Sequence, residues 1–205
     1  MPSSLYHLNV AYLIAQADKS LFTPEYFLGA IAPDCVNLNG FAPKNIRWQA
    51  HNRAANLDEW EENVYKLYKK EKYGAIDSVQ FNNFLLGFVV HIFTDIQADR
   101  IEEKLRATMM HKYPDYPDEY KLYSNQIKLY EYSQLDSDWW KNTVSKLSVA
   151  LAFSVNSLKS SDVFDWRNKV LSDYKKSQRC EYDLITPEII QKVAWNVLDK
   201  ISDLK

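Results

Sequence analysis

The residues His91 and Asp95 lie four positions apart in an apolar stretch of the chain, Leu85 to Arg100, LLGFVVHIFTDIQADR. On a helix this spacing places both side chains on one face, about 6 Å apart at Cβ. An imidazole nitrogen and a carboxylate oxygen can then bind one metal ion. A buried, unpaired carboxylate costs several kcal/mol, so the apolar surroundings require a partner for Asp95. The pair is therefore a candidate metal site.

Three more residues of ligand type occur in the first half of the chain, where the packing of helices can bring them together. They are His7, Asp34 and His51. Each also has an ordinary interpretation, and this alternative stays open from the sequence. His7 can be a packing or surface residue, Asp34 a turn or cap residue, and His91 a hydrogen-bonded core residue.

Two further titratable residues are expected to lie outside the site. Asp99, one turn beyond Asp95, is interpreted as a solvated helix charge that faces Arg100 or Lys104. His111 lies beside a proline-rich loop and is expected to be in contact with solvent.

The spacing of apolar residues predicts an all-α fold. Apolar residues recur at intervals of three and four, the chain has only four glycines, and no sustained alternation typical of strands occurs. The central element is a helix over about 77–105, capped by Asp77 or Ser78. Within it, residues 84–93 are almost continuously apolar. We predict a multi-helix bundle around this buried helix.

Cap and breaker residues place the other elements. We predict a helix over 4–18, a second helix that begins with Thr23 as its cap and Pro24 as its first residue, a loop over 35–49 and a third helix over 52–70. His51 is then expected at the start of that third helix. After a loop over 109–119, we predict packing helices at 120–133, 137–158, 162–178 and 187–203.

Length, composition and charge are those of one folded domain. With 205 residues, of which 46% are hydrophobic and 25% charged, we predict a single domain over 1–205. Its first half, 1–105, would carry the metal site, and 106–205 would pack against it and shape a pocket. The net charge of −2, with both signs interleaved, argues against a standing nucleic-acid partner.

The sequence also favours a cytoplasmic protein. Its first residues lack the pattern of a leader peptide, and no run approaches the roughly 20 apolar residues of a membrane span. Cys35 and Cys180 lie far apart with no CxxC neighbour. We therefore expect no integral membrane segment and no disulfide framework, and no particular oligomeric state is predicted.

Four fragments in the first 100 residues carry a resemblance to a known family. They are YHLNVAYLI at 6–14, FLGAIAPDCV at 27–36, AHN at 50–52 and LLGFVVHIFTD at 85–95. In this order they resemble the zinc-dependent phospholipase C family, an all-helical fold shared more distantly with single-strand-specific zinc nucleases. The second half of the chain matches this family only as generic helix.

The resemblance implies a ligand set and an activity. One zinc ion would be held by four residues, Asp34, His51, His91 and Asp95. His7 would serve a neighbouring metal position, which Asp95 can bridge. The implied activity is phosphoric-ester hydrolysis, in which metal-activated water attacks a small-molecule or lipid phosphodiester and Asp34 orients or deprotonates that water.

The number and kind of ions follow from the donors in this sequence. Members with three zinc ions use a further cluster of histidine and glutamate, but the only later histidine here is His111. We therefore expect one or two zinc ions. Histidine and carboxylate donors also accept Mn²⁺, Fe²⁺ or Ni²⁺.

Two alternatives to the hydrolase stay open from the sequence, and a third is excluded. The chain can be a metal-binding or structural protein of the same fold that has lost catalysis. It can have no metal at all, with His91 and Asp95 as core residues. A phosphohydrolase of the HD type needs an adjacent His-Asp dipeptide, and this sequence has none.

Overall fold

The predicted central helix is present and extends further than predicted. The computed structural model describes residues 3–74, 78–114, 118–175 and 185–204, with the backbone alone at 102–104, 106–107, 109–110 and 119–120. In it the central helix, α5, spans Val79–Lys112. Ser78 Oγ accepts the N–H of Phe81 at 3.1 Å and so caps the helix. The alternative cap, Asp77, lies outside the described residues. Residues 84–93 are all buried, as their apolar character predicts.

The described part of the chain forms nine α-helices and two short 3-10 helices, with no strand. The all-α prediction is therefore confirmed. The other α-helices are α1 (Ser4–Ala17), α2 (Pro24–Gly29), α3 (Lys44–Ala50), α4 (Leu57–Gly74), α6 (Glu119–Gln134), α7 (Asp138–Leu147), α8 (Ser160–Asp173) and α9 (Pro187–Ser202). The 3-10 helices span Lys19–Leu21 and Ala32–Asn37.

The helix α5 is surrounded by other elements, as its apolar circumference requires. It contacts α1, α2, α4, α6 and α9, and α1 also packs on α9. The buried apolar side chains form one cluster that includes residues from Leu5 to Leu204. Residues from both halves of the sequence therefore contribute to the core that surrounds α5.

The region predicted as a loop over 35–49 is partly helical, and this changes the position of His51. Pro43 precedes the seven-residue helix α3, and His51 is the residue after it. The third predicted helix starts at Leu57 instead of residue 52, because Asn52 adopts a positive φ of 48° and cannot continue a helix. The side chain of Asn56 then caps α4 by accepting the N–H groups of Asp58 and Glu59.

The helix predicted over 137–158 ends at Leu147. Asn156 adopts a φ of 55°, so the segment after α7 cannot be one continuous helix. Its apolar residues Ala150, Val155 and Leu158 are nevertheless buried. Periodicity misled the prediction here, because an irregular segment can bury apolar side chains as a helix does. Of the helix predicted over 162–178, residues 176–178 lie outside the described residues, as does Cys180.

Part of α5 has the length and composition of a membrane span. Among the described residues one such segment occurs, Val79–Ile101, and 78% of its most apolar window is buried within the fold. The core helix of a folded domain meets the same criteria. The apolar surface of this segment is thus mostly in contact with other parts of the same chain.

Candidate metal centre

The five residues predicted as metal ligands lie together in the core. His7 is on α1, Asp34 is in the second 3-10 helix, His51 follows α3, and His91 and Asp95 are on α5. All five are buried, and the most exposed of them, Asp34, is only 6% exposed. By contrast His111 is exposed, as predicted.

Two of the histidines present their Nε2 atoms to the same point. The Nδ1 atoms of His51 and His91 lie 2.8 Å from the carbonyl oxygens of Arg47 and Ala30, respectively. A carbonyl oxygen can only accept, so each Nδ1 carries a hydrogen and each Nε2 is left with its lone pair. The two Nε2 atoms are 3.2 Å apart. Two lone pairs at this distance repel unless a proton or a metal ion lies between them.

Carboxylate oxygens complete this arrangement. Asp34 Oδ1 lies 3.5 Å from His51 Nε2, and Asp95 Oδ2 lies 3.6 Å from it. Asp95 Oδ2 is also 3.8 Å from His91 Nε2. Zinc binds its donors at 2.0–2.1 Å, which places tetrahedral donors about 3.3 Å from one another. Asp34, His51 and His91 thus form a set of donors close enough to hold one divalent ion, and Asp95 Oδ2 adjoins this set through its contacts with His51 and His91.

His7 and the second oxygen of Asp95 form a neighbouring donor pair. His7 Nε2 lies 3.5 Å from Asp95 Oδ1, and the His7 ring stacks on the His91 ring with centroids 3.7 Å apart. Within the described residues, neither nitrogen of His7 and neither oxygen of Asp95 has a hydrogen-bond partner. Buried polar atoms of this kind normally have partners. A bound metal ion would satisfy them, and the two oxygens of Asp95 face different histidines, Oδ1 towards His7 and Oδ2 towards His51 and His91.

The local electrostatics favour a cation. Burial lowers the pKa of His91 to about 3, and the neighbouring His7 acts in the same direction, so His91 is neutral. Burial opposes the ionisation of Asp34 and Asp95, but the histidines outweigh it and hold the pKa of both carboxyls below their usual range. Two carboxylates balance the charge of one divalent ion, which a buried site requires.

The protonation of His51 follows from the same contacts. Burial acts against a charged imidazole, but Asp34 and Asp95 outweigh it and raise the pKa of His51. The higher pKa favours a proton on His51 beside the two carboxylates. A divalent ion held by His51 would have to displace such a proton, because a histidine ligand must be neutral.

Several groups that position the ligands were not predicted. The carbonyls of Ala30 and Arg47 orient the two imidazoles, and Asn37 Nδ2 donates to Asp34 Oδ1 at 3.3 Å. Trp60 Nε1 donates to the carbonyl of His51 at 2.9 Å. Such outer partners orient metal ligands and tune their basicity. Backbone carbonyls carry no signature in a sequence, so only Asn37 and Trp60 could have been proposed.

Asp99 has a partner that the sequence analysis did not propose. Asp99 Oδ2 accepts a hydrogen bond from Arg53 at 2.8 Å, whereas Arg100 pairs with Asp58 at 2.6 Å. Arg53 lies just after His51, in the connection between α3 and α4. Asp99 thus faces this connection across the fold; of the two partners expected on its own helix, Arg100 pairs elsewhere, and the side chain of Lys104 lies outside the described ones.

A buried carboxyl outside the metal centre was also missed. Glu131 on α6 is 2% exposed, and its Oε1 has no partner among the described residues. Tyr174 donates to its Oε2 at 3.4 Å. Burial raises the pKa of Glu131 to about 8, although backbone N–H groups of α1 act against this shift.

Replacing Glu131 by glutamine is expected to stabilise the protein at alkaline pH. In the unfolded chain Glu131 loses its proton near the ordinary pKa of about 4.3, whereas the folded chain keeps the proton up to about pH 8. Because ionisation then favours the unfolded chain, the free energy of unfolding falls as the pH rises between these two values. Glu131→Gln should remove this fall, which at about 1.4 kcal/mol per pKa unit reaches several kcal/mol by pH 9. Urea titrations at pH 5 and pH 9 measure it. The exposed Glu62→Gln is the control, and equal pH dependence in parent and Glu131→Gln would contradict the prediction.

Comparison of the chain with family models, with curated proteins and with solved structures found no match. The fold and the site therefore define the protein by themselves. It is an all-α protein whose core contains His and Asp groups able to hold a metal ion, in two overlapping sets. One set is His7, His91 and Asp95, and the other is Asp34, His51 and His91.

Proposed function

We propose that the protein is a zinc-dependent phosphoric-ester hydrolase of the phospholipase C kind. The observation that supports this most is the convergence on His51 Nε2 of His91 Nε2 and of one oxygen each from Asp34 and Asp95, at 3.2–3.6 Å. Borderline histidine donors combined with hard carboxylates suit Zn²⁺. The order of the four sequence fragments supports the reaction class.

The proposed roles divide the five residues between two positions. Asp34, His51, His91 and Asp95 would hold the first zinc ion, and His7 with the other oxygen of Asp95 would hold a second. Zinc at such a site lowers the pKa of bound water and polarises a phosphoryl oxygen. The carbonyls behind His51 and His91 keep both imidazoles in the tautomer that binds metal.

Asp34 is the proposed catalytic residue. It is the most exposed of the five, and Asn37 fixes the orientation of its carboxylate. Because the histidines lower its pKa, Asp34 is charged at neutral pH and can accept a hydrogen bond from an attacking water. Substrate would approach from the side of Asp34 and Asn37, since the other ligands are more deeply buried.

Asp34→Asn is expected to lose phosphodiesterase activity by about 100-fold or more, because the amide cannot accept the water proton. The zinc-loaded protein is assayed for release of p-nitrophenol from bis-p-nitrophenyl phosphate. The control is Asp138→Asn, which changes a carboxylate on α7 that is 97% exposed. Turnover in Asp34→Asn equal to that of the control would exclude the catalytic role.

A second candidate function is a metal-binding protein without turnover, and the burial of the ligands favours it. With all five residues no more than 6% exposed, the site has the closed character of a structural metal centre. This candidate predicts that a chelator lowers the melting temperature while phosphodiesters stay intact. The parent protein in the p-nitrophenol assay separates the two candidates, since only the hydrolase releases product.

A further inference from the structure

Two residues next to the ligand His51 attach the connection between α3 and α4 to other helices. Asn52 adopts a positive φ of 48°, and its Nδ2 donates to the carbonyl of Asn63 on α4 at 2.9 Å. The guanidinium of Arg53 donates to Asp99 Oδ2 on α5 at 2.8 Å. His51 has a helix on one side alone, because α3 ends before it. Its position therefore depends on the attachment of the residues that follow.

The side chain of Arg53 is also held by two tryptophan rings. Its guanidinium carbon lies 4.4 Å from the centre of the Trp60 ring and 5.8 Å from that of the Trp48 ring. A cation is attracted to the face of such a ring. Trp60 is fully buried, and its Nε1 donates to the carbonyl of His51 at 2.9 Å. The same ring therefore contacts Arg53 and bonds the backbone of the ligand.

Asp99 lies on the face of α5 that carries two of the ligands. His91, Asp95 and Asp99 follow one another at intervals of four residues, which places them along one side of the helix. The chain has no aspartate or glutamate from residue 35 to residue 57, so no acidic residue of that segment competes for Arg53. The ion pair between Arg53 and Asp99 thus joins the segment of His51 to the ligand-bearing face of α5.

The metal centre is sensitive to the position of His51. Its Nε2 lies 3.2 Å from His91 Nε2 and 3.5 Å from Asp34 Oδ1, so it is the atom at which the donors converge. The distance between a metal ion and its ligand varies by about 0.2 Å. A small shift of the connection would therefore remove His51 from the ligand set, whereas His91 and Asp95 are fixed within α5.

We propose that Arg53 and Asp99 form a positioning pair that holds His51 in the metal centre and thereby sets the affinity of the site for zinc. Neither residue is a proposed ligand. Arg53 acts through the adjoining backbone and through Trp60, and Asp99 fixes Arg53 to α5. The inference rests on the zinc-binding part of the proposed function and adds to it two residues that hold a ligand in place.

An ordinary structural ion pair makes a different prediction. The side chains of Arg53 and Asp99 are 24% and 23% exposed, and an ion pair with this access to solvent contributes little to folding. Loss of a pair that acts on the fold alone would leave the zinc affinity of the folded protein unchanged. Loss of an outer partner of a metal ligand instead weakens metal binding by about 10- to 100-fold. Zinc affinity therefore separates the two roles.

The test is the zinc affinity of the full-length protein, measured by competition with a chromophoric chelator. We expect Arg53→Gln and Asp99→Ala each to bind zinc at least about tenfold more weakly than the parent. The double variant should bind as Arg53→Gln does, because both substitutions break one interaction. The matched control is Arg100→Gln, which breaks an ion pair with Asp58 at the next residue of α5 and should keep the affinity of the parent.

The visible absorption of bound Co²⁺ tests the position of His51 directly. Cobalt can take the place of zinc, and its absorption depends on the number and geometry of its ligands. We expect the spectrum of cobalt-loaded Arg53→Gln to approach that of His51→Ala, because both would lack the His51 imidazole as a ligand. Arg53→Lys keeps the positive charge and should recover part of the zinc affinity. A role in folding alone would leave the cobalt spectrum of the folded protein unchanged.

Two results would overturn the inference. One is a zinc affinity of Arg53→Gln and Asp99→Ala equal to that of the parent, and the other is an equal loss of affinity in Arg100→Gln. Circular dichroism verifies that each variant is folded. If Arg53→Gln does not fold, Asp99→Ala and Arg53→Lys provide the same comparison.

Failure of this inference can be distinguished from failure of the proposed function. A parent that binds zinc no more tightly than the variants, but hydrolyses bis-p-nitrophenyl phosphate, would reject the positioning pair alone. A parent that binds zinc more tightly than the variants, but releases no p-nitrophenol, would support the pair and reject the hydrolase. A parent that binds no zinc would reject both.

Discussion

Protein prepared without an affinity tag and equilibrated with zinc is expected to hold at least one zinc ion per chain, and His91→Ala none. His91 Nε2 contacts both His51 Nε2 and Asp95 Oδ2, so its removal takes a donor from the centre of the cluster. The remaining carboxylates would then face an incomplete set of ligands. Inductively coupled plasma mass spectrometry after dialysis measures the zinc content directly.

Two further variants decide whether a loss of zinc reflects the site or the fold. Asp95→Asn keeps the volume of the side chain but removes the charge that binds and bridges, so it should also lose zinc. His111→Ala removes an exposed histidine and should keep the zinc of the parent. Equal zinc content in the parent, His91→Ala and Asp95→Asn would mean that the ion is bound elsewhere. Absence of zinc from the parent would mean that these residues form a polar cluster in the core.

The parts of the site that could be predicted are those with a local signature. His91 and Asp95 were found from a spacing of four in an apolar helix, a pattern that needs no knowledge of the rest of the fold. His7, Asp34 and His51 were proposed from residue type and from the order of the motif fragments. Their convergence depends on how α1, α3 and α5 pack, and the spacing along the chain does not specify that packing.

The environment of His51 shows where sequence reasoning failed. The structure brings it together with the other proposed ligands, but it was expected to begin a helix and instead follows the end of one. The seven residues of α3 make too few turns for a clear hydrophobic period, and the Asn, Pro and Gly residues before the helix indicated a loop instead. The consequence is functional, because the carbonyl of Arg47 on α3 determines which nitrogen of His51 can bind metal.

The position of His91 depends on a close contact between α2 and α5 that the sequence does not reveal. A side chain at Gly87 would overlap the carbonyl oxygen of Tyr26, and one at Gly29 would overlap the carbonyl oxygen of Phe84. Each helix thus uses a glycine where the backbone of the other approaches. Ala30, whose carbonyl orients His91, directly follows one of these glycines.

Gly87→Ala is therefore expected to destabilise the protein by about 3 kcal/mol or more, or to prevent folding, because backbone atoms of α2 cannot move aside as a flexible side chain can. Urea unfolding followed by circular dichroism measures the free energy. Gly74→Ala at the end of α4 is the control, since a methyl group there meets no atom within 4 Å. It should leave the free energy of unfolding within about 1 kcal/mol of the parent, because alanine is the better helix former.

If Gly87→Ala folds, we expect it to bind zinc more weakly than the parent, because α2 moves away and the carbonyl of Ala30 with it. His91 would then lose the acceptor that keeps its proton on Nδ1. The proton could move to Nε2, which would then have no lone pair to bind zinc. Stability and zinc affinity both equal to those of Gly74→Ala would show that α2 and α5 do not approach so closely. Normal stability with weaker zinc binding would instead mean that the substitution changes only the orientation of His91 and not the packing of α2 on α5.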